Sequence, residues 1–287
     1  MIVKSHQKYF TPSCSIAFLV FLSVLVTFST SKGAEEKSAL ERIKARGAIV
    51  FCADPYNFPF SVDNPGSPGF DIEIANLVAQ KLGVRAQFFW IDTGTRGGLG
   101  RALRNSILEK KCDTFLGLPT GKEAEEEMEE KGLVLTKPYF GTGFVLMTRE
   151  TNTAAMDLNS LKGKKIAVEM STPADWYLFK NGYERSLYRF VPEILEAMDK
   201  GEVDVALVWA PMAGSSLKEH PESKAKLVEN YVPEPTLRWN LAMAVRKEDQ
   251  DLKETLSQVL EELSKGGQIK DVLSKYGVPF YPPFPEE

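Results

Sequence analysis

The chain reads as an α/β protein of two lobes, each built on a parallel sheet, joined by two hinge crossings. Three features of its 287 residues predict this. Apolar runs of strand length alternate with stretches of helical spacing from residue 48 onward, the pattern of βαβ units and a parallel sheet. The alternation starts afresh after residue 163. Two long strand-like stretches, 135–150 and 232–249, are placed to carry the chain out of the first lobe and back.

"AIVFCA" (48–53) is the first strand. In "PGFDIEIANLVAQKLG" (68–83), Ile72, Ile74, Ala75, Val78 and Leu82 fall near helical spacing, and Gly83 stops the helix. "VRAQFFWI" (84–91) is a strand, "GRALRNSILEKK" (100–111) a helix and "CDTFLGL" (112–118) a strand. In the second set, "KKIAVEM" is a strand, "TPADWYLFKNG" and "VPEILEAMDKG" are helices, and "VDVALVWA" is a strand. The stretches 107–121 and 197–214 share one form: helix, lysine, aspartate (Asp113, Asp204), apolar strand, proline, glycine. In the first crossing, "GTG" (141–143) separates two strand-like halves and reads as a hinge. Two helices follow the second crossing, with apolar residues at i, i+3 and i+4, and the proline-rich "VPFYPPFPEE" is a loose or docked tail. The lobes are therefore 46–140 with 238–287, and 141–237.

The amino terminus differs from the rest. Lys4 and Lys8 precede the apolar run Ser15–Phe28, and small residues follow, so residues 1–33 read as a secretory signal peptide. The run is short for a membrane span, which disfavours the rival reading, an uncleaved anchor. Gly33 with Ser31, or Ser31 with Ser29, satisfies the small-residue rule for cleavage. Cys14 precedes the apolar run, so it is not placed as a lipoprotein cysteine. The protein is expected in the periplasm with no stable membrane anchor. Removing the segment's three lysines leaves 32 basic residues against 39 acidic ones, a charge of −7, and nothing in that balance points to nucleic acid.

The exported chain keeps Cys52, Cys112 and one histidine, His220. An even pair of cysteines in an exported protein points to a disulfide. One histidine argues against histidine-based catalysis and histidine-rich metal sites. We expect no catalytic residues, no cofactor and no dedicated metal site. The acidic run Glu123–Glu130 is a solvated helix face; its sharper reading is a docking patch for a basic partner.

Ligands of open α/β sheets sit beyond the carboxyl ends of the strands. "ADPYNFPF", "GLPTG", "FGTG", "MSTPAD" and "VWAPMAG" all follow or end strands and would line such a cleft. The candidate cleft residues are Asp54, Tyr56, Asn57, Phe58, Trp90, Thr120, Thr142, Ser171, Thr172 and Trp209. Several have a plainer role open to them. Phe58 and Phe60 can plug the lobe core, Asp54 before a proline can hold a turn, Ser171 and Thr172 can cap the helix at Pro173, and Trp209 can be core. If they do not merely cap, Ser171 and Thr172 stand where free backbone N–H groups hold an anion.

"DPYNFPFS" with "GFDIEIA", "GKKIAVEMSTPADWYL" and "AMAVRKEDQDLKETLSQVL" resemble type II periplasmic solute-binding proteins over nearly the whole exported chain. That implies a bilobal receptor closing on a ligand. "CADPYNFPFS", "RNSILEKKCD", "GLP", "TKPYF" and "DVALVWAPMAG" resemble more narrowly the J-type periplasmic proteins linked to pyrroloquinoline-quinone (PQQ) methanol dehydrogenases. That family pairs a cysteine of a "CADPxNLPFS" motif with one of an "RCD" motif. The resemblance thus implies a Cys52–Cys112 disulfide. It also implies, as partners, a periplasmic PQQ-dependent dehydrogenase, whose quinone and calcium or lanthanide carry the chemistry, and its c-type cytochrome. The loops "DTGTRGGLG" and "TGKEAEEEMEEKGLVL" are longer than that family's.

Amino-acid receptors of the resembled fold clamp the α-carboxylate with an arginine after the third strand and hold the ammonium with an acid in the second lobe. Here "LPTGKEAEEE" has no arginine, and Trp209 stands where the acid would. The same gap counts against the carboxylate-binding dehydratases of this fold. Two readings remain: a non-catalytic accessory protein of a PQQ alcohol dehydrogenase, or the receptor of an ABC importer for a small polar solute other than a typical α-amino acid.

Overall fold

A computed structural model describes residues 37–150 and 156–285; the expected signal peptide, residues 1–33, lies outside them. The described chain opens with helix α1 (Ala39–Arg46), held by a capping box in which Ser38 Oγ accepts from Glu41 N and Glu41 accepts from Ser38 N. Strand β1 (Ala48–Ala53) follows and is buried almost throughout. A hairpin of β2 (Tyr56–Asn57) and β3 (Ser61–Val62) leads into α2 (Phe70–Lys81) and β4 (Arg85–Trp90). Then come α3 (Gly98–Arg104), β5 (Thr114–Pro119), α4 (Lys122–Glu130) and β6 (Leu133–Leu135).

The first crossing is β7 (Phe140–Thr148), all nine residues buried. Beyond it lie β8 (Lys165–Glu169), α5 (Pro173–Lys180), β9 (Glu184–Tyr188), α6 (Val191–Lys200), β10 (Val205–Trp209), α7 (Ala210–Glu219) and β11 (Lys226–Leu227). The return crossing is β12 (Arg238–Arg246), followed by α8 (Gln250–Lys265) and α9 (Gln268–Lys275).

The strand order is β4-β1-β5-β12-β7-β10-β8-β9, with β6 also on β12 and β11 also on β7. Within each lobe β1 pairs in parallel with β4 and β5, and β8 in parallel with β10 and β9. The two crossings pair antiparallel with each other, Arg238 opposite Gly143 through Leu241 opposite Phe140. The fold is thus a bilobal α/β architecture whose lobes share one continuous sheet. One apolar core runs from Phe144 to Leu237. The others draw on residues up to Phe140 and from Leu241 onward.

Cys52 and Cys112 form a disulfide with Cα atoms 5.6 Å apart. The expected helix 100–111 ends early for this reason: α3 stops at Arg104, and residues 105–110 turn back. Ser106 Oγ donates to Ala102 O, Lys110 takes φ 58°, and Lys111 N bonds Ser106 O. Arg246 fixes the turn by donating to Ile107 O at 3.1 Å and Cys112 O at 2.7 Å. Its guanidinium also meets Asp249 at 2.6 Å, both side chains being buried. Asp113, the aspartate of the repeated form, is a strand-locking residue: its Oδ2 accepts from Val50 N at 2.7 Å and from Arg46.

The tail is docked over the joint of the two crossings. Asn240 grips Phe284 from both sides of its amide, donating to Phe284 O at 2.9 Å and accepting from Phe284 N at 2.7 Å. Gly141 N donates to Tyr281 O at 2.8 Å, and a Cβ on Gly141 would sit 2.6 Å from the Phe284 ring. The Tyr281 hydroxyl donates to Tyr231 O at 2.9 Å. Asn240→Ala removes both Phe284 bonds and is expected to cost about 1–2 kcal/mol. Thermal unfolding should show the loss, and hydrogen exchange at the Phe284 amide should accelerate.

Candidate functional site

Where the lobes face each other, a cavity of about 280 Å³ is lined by Asn57, Phe60, Gly117 and Pro119 from one side, Trp209 from the other, and Trp239 and Leu241 of β12. Trp209 is the last residue of β10, opposite Phe144 of β7. Its ring lies 5.4 Å from that of Phe144 and 5.7 Å from that of Trp239, which it meets edge-on at 61°. Trp239 is opposite Thr142 in the crossing pair. The wall is therefore set by strand register on rigid elements.

The opposite wall is the hairpin after β1. Asp54 organises it: Oδ1 accepts from Tyr56 N at 2.8 Å, Oδ2 from Thr93 N at 2.8 Å and from the Thr93 hydroxyl, and its carbonyl accepts from Ser61 Oγ at 2.7 Å. The Phe58–Pro59 peptide is cis. Asn57 reaches the cavity, whereas Tyr56 stands 80% exposed. Phe58 turns to the lobe core, 6.4 Å from Tyr276, and Phe60 packs 4.7 Å from Phe70 while its other side touches the cavity.

A second, inner cavity of about 230 Å³ shares Asn57, Gly117 and Pro119 with the first and is bordered by Asp54, Asp71 and Thr93. Asp71 is 3% exposed and accepts at Oδ1 from the Tyr139 hydroxyl at 3.0 Å. Burial pushes the Asp71 carboxyl up to about 7, against the pull of that hydrogen bond. The Tyr139 hydroxyl is driven well above its ordinary range by burial and by Asp71. Gly117 at φ 65° makes room for the carboxyl, because a Cβ there would overlap Asp71 Oδ2.

A third cavity, about 430 Å³, lies between α4, the return crossing and the tail. Thr120, Lys122, Glu125, Glu126 and Glu129 form one side, and Arg238, Trp239, Asn240 and Phe284 the other. Helix α4 buries only Met128, so its acids form a solvated face, with Glu129 held by Lys247 at 2.6 Å and Glu127 by Lys131 at 2.9 Å.

The predicted residues thus divide. Asn57 and Trp209 meet in one cavity, Asp54 and Asn57 border the next, and Thr120 borders the third. Trp90 packs on Phe88 at 5.7 Å and belongs to the lobe core. Thr142 is fully buried and its hydroxyl has no hydrogen-bond partner among the described residues. Thr172 caps α5, accepting from Asp175 N at 3.2 Å and donating to Glu169 O at 2.7 Å. Ser171 N donates to Asp175 Oδ2 at 2.9 Å, so that amide is taken. Neither Ser171 nor Thr172 borders these three cavities.

Sequence reasoning missed Asp71 and Trp239. The signal for Asp71 was present: it stands at i with Ile74, Ala75 and Val78 at i+3, i+4 and i+7, all buried, which puts an acid on the apolar face. Among the described residues no group of three or more His, Cys, Asp or Glu side chains is placed to hold a metal ion. The two inner cavities carry carboxyls, hydroxyls, an amide and indoles, and the Thr93 hydroxyl there is engaged by Asp54. Such walls hold a ligand by shape, stacking and a few polar contacts.

Comparison with known proteins agrees with this architecture. The profile of the bacterial extracellular solute-binding proteins, family 3, matches residues 49–279. The protein MoxJ of Methylorubrum extorquens is 26% identical over 293 residues, 89% of this chain and 87% of that protein. The L-cystine-binding protein TcyJ of Escherichia coli K12 is 24% identical over 262 residues, 90% and 92% of the two chains. The crystal structure of the L-cystine solute receptor of Neisseria gonorrhoeae, unliganded and open, superposes with a TM-score of 0.70 at 19% identity over 84% of this chain and 97% of that one.

Proposed function

Because the chain belongs to the bacterial extracellular solute-binding proteins, family 3, we propose that it acts by binding, without catalysis, as a periplasmic accessory protein of a PQQ-dependent methanol or alcohol dehydrogenase. The observation that carries this reading is the Cys52–Cys112 bridge, which joins the two cysteine motifs that resemble those of the J-type proteins. The likeness to MoxJ over most of both chains supports it. The cleft adds a second argument. Among the described residues no arginine borders the two inner cavities, and Trp209 stands on the side where an ammonium-binding acid would be needed. A free α-amino acid then has no partner for its carboxylate.

The dehydrogenase, and through it the c-type cytochrome, is the partner in this reading, and the acidic face of α4 supplies charge that speeds association with a basic surface. Co-purification of the exported protein with the dehydrogenase is the direct test. A deletion strain is expected to lose dehydrogenase activity or metal loading. Normal activity and loading together with failed uptake of a solute would favour the second reading, the receptor of an ABC importer, which the likeness to a cystine-binding protein keeps in view.

Calorimetry against a panel of common α-amino acids, cystine included, is expected to give no binding at micromolar concentration. Micromolar affinity, about −8 kcal/mol, would need charge anchors that these cavities do not contain. Trp209→Ala locates the docking site on the protein: unchanged dehydrogenase binding would move the contact from the cleft to a lobe face.

A further inference from the structure

The inner cavity ends at two carboxyls that differ in what they already hold. Asp54 engages both oxygens with Tyr56 and Thr93. Asp71 engages Oδ1 with Tyr139, and its Oδ2 accepts no hydrogen bond among the described residues. That second oxygen borders Gly117, the residue shared by the walls of both cavities. A side chain at 117 would displace the carboxyl, so the glycine keeps the approach to Oδ2 open. Among the described residues no lysine, arginine or histidine borders either cavity; the ionisable side chains there are Asp54 and Asp71. A buried carboxyl with no cation is costly to ionise, and its natural complement is a cation delivered with hydrogen-bond donors.

We propose that the inner cavity is an ammonium subsite, in which a primary organic amine donates to Asp71 Oδ2 while its apolar body lies against Trp209 and Trp239. The inference rests on the reading of the cleft as a ligand site and goes beyond it by naming the ligand class: small amines without a carboxylate. The indole walls favour this choice, since aromatic faces attract cations and receive apolar chains. Above about pH 7 the acids reinforce it, since a ligand carboxylate would there meet an ionised Asp71 and no arginine. Asn57 and Ser61 border the same inner wall and offer further acceptors for the remaining N–H groups. The volume of about 230 Å³ suits an ammonium with a short chain.

Binding must then depend on pH in a defined way. Tyr139 is the titratable group bonded to Asp71, and Asp54 is the charge across the cavity. Glu73, two residues on, is occupied by Lys275 at 2.6 Å and Tyr276 at 2.8 Å. The ammonium requires the ionised form of Asp71, which is the minor form below about 7. Affinity should therefore rise about ten-fold from pH 6 to pH 8, and binding at pH 6 should release a proton.

Titration calorimetry of the exported protein with butylamine and benzylamine, against butyrate and phenylalanine, tests this. Both amines are expected to bind and both acids to fail. At pH 6 the heat should differ between buffers of different ionisation enthalpy, a readout that needs no variant. Asp71→Asn keeps an acceptor for Tyr139 and is expected to weaken amine binding about 10- to 100-fold and abolish its pH dependence. Absence of amine binding at millimolar concentration, binding indifferent to pH and to Asp71, or tighter binding of phenylalanine would overturn the proposal. Retained dehydrogenase association without an amine site sinks this inference alone; amine binding without that association sinks the accessory reading alone.

Discussion

Replacing Cys52 and Cys112 together by serine is expected to lower the folding free energy by about 4 kcal/mol. The bridge closes a loop with a sequence separation of 60. Most of the gain lies in the unfolded chain, which loses the conformations that a 60-residue loop would otherwise visit. Both sulfurs are buried with Ala102, Leu103, Ile107 and Phe115, so the serine hydroxyls would add a desolvation cost. Urea unfolding of oxidised and reduced wild type, beside the double variant, gives the number. Equal midpoints would show that the turn 105–111 is held by Arg246 and packing alone. A folded double variant should also show faster exchange in that turn than in β12.

The second large effect is a pH dependence centred on Asp71. In the folded protein its carboxyl is pushed to about 7 by burial, whereas in the unfolded chain it titrates near the ordinary 3.8. Between those values the folded state holds one proton more than the unfolded state. Stability therefore falls as pH rises through that window and levels off above about 7. The full difference corresponds to about 4 kcal/mol. Asp71→Asn has no such titration. The variant should gain on wild type by roughly that amount between pH 4 and pH 8, as chemical denaturation across the range would show. A constant difference between the two proteins would mean that Asp71 is ionised in the fold and that water reaches it freely.

The frame of the molecule is legible in its residues because it rests on period and punctuation. The strand 48–53 and the helix closed near Gly83 stand where apolar spacing and glycine place them. The helix beginning near Gly98 was harder: its apolar spacing continues to Leu108, yet the backbone turns at Asn105, because a distant contact, the bridge with Arg246 behind it, outweighs local spacing. The cleft was legible to the extent that side chains at strand ends face it. Asn57 and Trp209 do so. Phe58 and Trp90 do not, since a proline turn and the pleat of an edge strand send them to the lobe core. Trp239 depends on the register of β12 against β7, a pairing between residues about a hundred positions apart that no local pattern encodes. Asp71 was visible as an acid on an apolar face, but its oxygen beside Gly117 required the packing of α2 on β5.

The docked tail has a practical consequence for handling this protein. Phe284 is fastened to Asn240 at the joint itself, and Tyr281 is fastened to both Gly141 and Tyr231. An affinity tag or fusion partner attached after Glu287, three residues beyond Phe284, is therefore close to the joint and is no neutral handle. Its bulk would strain the grip of Asn240 on Phe284. A compact fluorophore at the same place turns this to use, because any motion between the two crossings would change its surroundings. Labelling there would report any such motion without touching the walls of either inner cavity.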